Sequence, residues 1–133
     1  MNDQQKQVAE LCKQSAEDSS MDFPEIVKQL TQVGFDRYIV DFCGATITYY
    51  LPCGESIMLK THKEKILVAE YFDIKSIQTA IKDAQMKVAG YTYNGFREQV
   101  MKAGCIGYIV SFLGERVVYF GRTGENHVEY FPK

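Results

Sequence analysis

The chain has 133 residues, 46% hydrophobic and 24% charged, a balance that excludes a disordered segment. Its 15 basic and 17 acidic residues are dispersed along the sequence and give a net charge of −2. No basic stripe of the kind that neutralises phosphates is present, so no nucleic-acid partner is expected.

The opening stretch, MNDQQKQVAELCKQ, lacks the apolar core and small-residue cleavage site of an export signal, and no apolar run is long enough to span a bilayer. Cys12, Cys43, Cys53 and Cys105 follow no metal-binding spacing. A cytoplasmic protein with reduced thiols and no membrane partner is the expectation. Val8, Leu11 and Cys12 recur at helical spacing and predict a first helix over roughly Asp3–Glu17 with those three inward. Asp22-Phe23-Pro24-Glu25 has the form of a capping box, with Met21 and Ile26 as the hydrophobic staple. Phe23, Ile26, Val27, Leu30 and Val33 then line one face of a second helix, which Gly34 closes in a left-handed conformation.

Strands follow at Arg37–Phe42 and Ala45–Tyr50, joined through Cys43-Gly44, where Gly44 is expected to supply the positive φ of a tight hairpin. The register sets Val40 opposite Ile47 and Tyr38 opposite Tyr49, an apolar face that helices should cover. A turn at Leu51-Pro52-Cys53-Gly54 leads to a third strand near Ser56–Lys60. Residues 61–72 form a connector that starts polar and ends apolar and extended. Asp73 caps a third helix reaching about Val88, with Ile74, Ile77, Ile81 and Ala84 inward and Gly90 after it. Thr92 caps a fourth, flanked by the staple Tyr91 and Phe96 and closed by Gly104. Strands at Tyr108–Phe112 and Glu115–Phe120, turning at Leu113-Gly114, precede a last strand near Asn126–Phe131.

The second series repeats the first. Gly34–Glu55 aligns without a gap on Gly104–Glu125, each residue meeting its counterpart 70 positions on. Nine positions are identical, among them Tyr38/Tyr108, Ile39/Ile109, Val40/Val110, Phe42/Phe112, Tyr49/Tyr119 and Glu55/Glu125. The expected fold class is therefore α+β: an internal duplication of an α-α-β-β-β unit about a pseudo-twofold, with the antiparallel strands forming one continuous sheet or two facing ones covered on one face by helices. One domain is expected, built of a first repeat (1–60), a connector (61–72) and a second repeat (73–133). Each half is too small to be secure alone, so the halves should share one core.

Several segments together carry a family resemblance. They are Phe23-Pro24-Glu25, Gly34-Phe35-Asp36-Arg37-Tyr38, Thr48-Tyr49-Tyr50, Val68-Ala69-Glu70-Tyr71-Phe72-Asp73, Val118-Tyr119-Phe120-Gly121 and Gly124-Glu125-Asn126-His127. In this order they resemble a small bacterial family, YbcV-like and often prophage-encoded, whose members are sometimes labelled "phage envelope protein". The resemblance covers nearly the whole chain and implies no activity, since that family is uncharacterised. Nothing in the sequence faces a membrane.

Few residues offer chemistry. His62 and His127 are the only histidines, and no combination with Cys43 or Cys53 has metal-ligand spacing. Neither cysteine has an adjacent base, and their counterparts are Leu113 and Thr123, so no catalytic residue is assigned. No Walker A, GxGxxG, HExxH or GxSxG pattern occurs, and no cofactor is expected. Glu55 and Glu125 recur after shared glycines; two carboxylates related by a dyad could share a proton or a cation, against the blander reading of solvated turn residues. Tyr50 points away from the helix-covered face, and His127 lies in the last strand, so these four are the candidate ligand-binding residues. The favoured reading is a non-enzymatic interaction module with an unknown protein or small-molecule partner. The alternative is a small-molecule-binding domain or small enzyme with a polar pocket between the repeats. The sequence indicates no oligomeric state.

Overall fold

The computed structural model describes residues 1–132. Its elements run α1 (Asp3–Asp18), α2 (Phe23–Gln32), β1 (Arg37–Asp41), β2 (Thr46–Tyr50), β3 (Ser56–Lys60), α3 (Ile74–Met86), α4 (Tyr93–Lys102), β4 (Cys105–Ser111), β5 (Arg116–Gly121) and β6 (Asn126–Tyr130). The order α-α-β-β-β-α-α-β-β-β is compatible with a duplicated unit.

All six strands join one antiparallel sheet in the order β3-β2-β1-β4-β5-β6. Each hairpin strand alternates between a buried and a more open residue, so one face is dry. Tyr38, Val40, Ile47, Tyr49, Tyr108, Val110, Val117 and Tyr119 make up that face, and they share a core with Cys12, Leu30, Ile77 and Val100 from the four helices. The expected helix-covered face is therefore formed, with both hairpin registers as read: Val40 opposite Ile47 and Tyr108 opposite Tyr119.

The joint between β1 and β4 places Ile39 opposite Ile109, with Arg37 opposite Ser111 and Asp41 opposite Gly107. Equivalent contacts flank it on both sides. The Phe42 amide donates to Ile106 and the Phe112 amide to Asp36, each at 3.0 Å. Phe42 meets Tyr108 edge-on at 5.9 Å between ring centroids, and Tyr38 meets Phe112 at 6.0 Å.

Local details depart from the sequence reading in five places, one of them β4, which starts at Cys105 and not at Tyr108. Each hairpin tip is a four-residue turn, and its left-handed residue is Ala45 (φ 54°) or Glu115 (φ 49°), not glycine. Gly44 and Gly114 serve a different need. The Asp41 carboxylate accepts from the amides of Cys43 and Gly44, and the Ser111 hydroxyl accepts from Gly114. A Cβ on Gly44 would stand 2.7 Å from the Asp41 Oδ2, and one on Gly114 3.2 Å from the Ser111 hydroxyl. Glycine there leaves room for the side chain that ties the turn.

The capping box at Asp22 is half made. Asp22 accepts from the Glu25 amide, but the Glu25 carboxylate turns to Gln29. Leu11 is 52% exposed and Ile74 38% exposed, because Ala9, Cys12 and Ser15 form the inward stripe of α1 and Ile77, Ala80 and Ile81 that of α3. α3 also ends early, with Lys87 as the left-handed C-cap.

Cys12 is buried, as its place on the inward stripe predicts, and so is Cys105; Cys43 and Cys53 are exposed, and all four are free. Desolvation pushes both Cys12 and Cys105 up to about 11 from an ordinary value of 9.0. A group whose folded pKa is raised stabilises the fold fully below its unfolded pKa and loses that contribution as pH climbs through the folded one. Stability should therefore be level up to about pH 8.5 and fall between roughly pH 9 and 11. Burial raises Tyr38, Tyr49 and Tyr108 well above 10 and extends the loss further. Urea midpoints measured across that range should drop steadily. A flat profile would mean that the unfolded thiols and phenols are as well shielded as the folded ones.

Candidate functional site

The opposite sheet face carries no helix among the described residues, and every strand residue on it except Gly107 is half-buried or exposed. Strand pairing lines this face into three rows. Met58, Thr48, Ile39, Ile109, Val118 and Val128 are successive partners across all six strands. One row beside them runs Ser56, Tyr50, Arg37, Ser111, Arg116, Tyr130, and the other Lys60, Thr46, Asp41, Gly107, Phe120, Asn126. The middle row is apolar but for Thr48, and no residue in it is charged.

Polar side chains on the flanks are held in place. The Arg37 guanidinium lies 4.5 Å from the Tyr50 ring centroid and donates to Asp36 at 2.8 Å. Arg116 lies 4.8 Å from the Tyr130 ring centroid. A cation over an aromatic face keeps its charge accessible while losing side-chain freedom, so both arginines are preorganised for contact. Met58 and Tyr130 remain 66% and 62% exposed. The whole face spans about 29 Å across the strands and about 17 Å along them, from strand spacing and rise.

The four residues singled out in the sequence do not form one site. Glu55 precedes β3 and Glu125 precedes β6, the two outermost strands, which stand about 24 Å apart across the sheet. No proton or cation can be shared over that distance. Glu55 instead accepts from the Met1 amino group at 2.6 Å, and this bond holds its carboxyl below the usual range. Glu125 is exposed in its turn, where its amide donates to the Thr123 hydroxyl. His127 faces the helix side of the edge strand β6, stacked on Tyr119 and 2.9 Å from Glu129. Tyr50 alone belongs to the bare face.

One polar cluster went unread in the sequence. Arg97 of α4, 2% exposed, pairs with Glu64 of the connector at 2.7 Å and with Asn94 at 3.0 Å. Its Nε has no partner among the described residues. Beside it a cavity of about 20 Å³, room for a single water, opens between Glu17, Thr61 and Tyr93. A larger cleft of about 180 Å³ lies at the α3–α4 turn, between Asp83, Tyr91, Thr92, Phe96 and Gln99. Among the described residues no three metal-ligating side chains converge, and no helix is long and apolar enough to cross a membrane.

A six-stranded antiparallel sheet with helices on one face and a broad bare surface on the other defines an α+β protein. The chain belongs to the family described as protein of unknown function (DUF1398), whose model matches residues 12–129. No curated protein matches it.

Proposed function

We propose that the protein is a non-enzymatic interaction module whose working surface is the bare sheet face. The observation that carries this reading is the row Met58-Thr48-Ile39-Ile109-Val118-Val128, uncharged across six strands, apolar on all but β2, and bordered on one side by preorganised arginine–tyrosine pairs. A contiguous apolar band with a polar rim is the anatomy of a protein-binding patch. The partner is accordingly a protein surface, encountered in the cytoplasm.

The same reading includes a duplication with an offset of 70, within a single domain. The pairing of Ile39 with Ile109, the matched amide bonds of Phe42 and Phe112 and the matched Tyr–Phe contacts all support it. On this view the apolar row lies across the pseudo-twofold and both repeats contribute equally to the surface. The resemblance to YbcV-like proteins supports a prophage-associated accessory role.

In-cell photo-cross-linking tests the surface. A benzophenone side chain at Met58 or Tyr130, on the bare face, should give discrete protein adducts. The same group at Leu11 or Met86, on exposed helix positions, should give none. Adducts confined to the helix positions would place the working surface on the other side and overturn the reading.

A further inference from the structure

We propose that the partner of the bare face is a second copy of this chain, packed sheet against sheet about a twofold axis that runs along the apolar row. The inference rests on the interaction-module reading and specifies its occupant.

Charge decides the geometry. A twofold axis along the row lays each strand on its own copy with the ends exchanged, so one flanking row meets the other. Arg37 then faces Asp41 of the second copy, and Asp41 faces its Arg37, since both lie on β1 at opposite ends of the strand. The remaining facing pairs are Ser56 with Lys60, Tyr50 with Thr46, Ser111 with Gly107, Arg116 with Phe120 and Tyr130 with Asn126, and none opposes like charges. An axis parallel to the strands would set β1 on β4, leaving Arg37 against Ser111 and Asp41 against Gly107. Only the first arrangement pairs Arg37 with Asp41, while Lys60 and Arg116 meet uncharged residues in both, and pairing of this kind fixes register.

Size agrees. The face covers about 490 Å² in flat projection, so two copies remove at least about 1,000 Å² from water before the corrugation of side chains is counted. Stable interfaces begin near 1,200 Å² in total, a threshold that protruding Met58, Tyr130 and the two arginines bring within reach. The self-complementary surface requires no other molecule.

Sedimentation of the full chain, with its partner-binding tested separately by the cross-links above, provides the experiment. The protein should sediment as a dimer at tens of micromolar, and Ile109→Lys should be a folded monomer by circular dichroism. Arg37→Glu should weaken the dimer about tenfold, and adding Asp41→Lys should restore most of the loss. Asp41→Lys also removes two turn hydrogen bonds, so a second measurement stands apart from it. With Cys43 and Cys53 changed to serine, Thr48→Cys should be joined to its own twin by a short bifunctional thiol reagent. The strand-parallel axis would instead set Thr48 opposite Val118. A monomer at all concentrations up to millimolar overturns the dimer while leaving the bare face open to another protein. A dimer that survives Ile109→Lys forms through another surface and overturns the proposal, while the cross-links decide the bare-face reading separately. Cross-linking that needs Val118→Cys as well as Thr48→Cys overturns this axis.

Discussion

Gly104→Ala should cost about 4 kcal/mol, one of the largest losses available to a single methyl group in this protein. Two penalties coincide there. The backbone is left-handed at φ 97°, which strains any L side chain by about 1–3 kcal/mol. The added Cβ would also stand 2.2 Å from the Tyr71 carbonyl oxygen and 3.0 Å from the Phe72 Cα, both backbone atoms of the connector. Backbone cannot swing aside as a side chain can, so the connector must shift, at about 1–3 kcal/mol more. Gly54→Ala is the control. Its φ is 98°, but nothing lies within 4 Å of the new methyl, so it should lose only about 1–2 kcal/mol. Urea unfolding of the two variants separates strain from crowding. Equal losses would mean that the connector yields freely where it crosses Gly104.

Arg97→Met should be comparably damaging, by about 3–5 kcal/mol, because it strands Glu64 in a site where the carboxylate side chain is only 10% exposed. Glu64→Gln keeps an acceptor oxygen but leaves the guanidinium, 3% exposed, without its counter-charge, and should cost about 2–4 kcal/mol. The double variant Arg97→Met with Glu64→Leu should recover much of the loss, since a buried ion pair is costly to break and cheap to replace whole. A double-mutant cycle in urea measures the coupling. Strictly additive losses would show that the two groups are solvated independently.

What was legible in the sequence follows from the range of the forces involved. The caps at Asp22, Asp73 and Thr92 and the pairing of Val40 with Ile47 depend on neighbours a few residues away, and they are formed as read. The hairpin glycines are legible in the sequence but their reason is not, since it is room for the Asp41 and Ser111 side chains and not φ. Leu11 and Ile74 fit a helical stripe as well as their neighbours do, and only packing decided against them. The joint of β1 to β4 depends on residues 70 apart, and without it the six-residue row cannot be assembled from separate hairpins. Read one hairpin at a time, that face is merely mixed. Arg97 had no local signal, since its partner Glu64 lies in a connector that looks solvated in sequence. The carboxylates Glu55 and Glu125 recur because their turns recur, and antiparallel joining sends the two turns to opposite corners.

The connector has a consequence for how the chain could be divided. It is fastened at intervals: Glu64 to Arg97, the Ala69 amide to the Met101 carbonyl, the Val68 carbonyl to Arg122, and Phe72 against Gly121. Between these anchors Lys65 is exposed and Leu67 is 91% exposed. A protease cut at that point severs no strand or helix, and the two fragments remain paired through β1 and β4 and through their common core. The nicked molecule is thus a pair of complementing fragments, each the template on which the other completes its sheet. Expressed separately, 1–66 and 67–133 should reassemble as a split protein only through the Ile39–Ile109 joint.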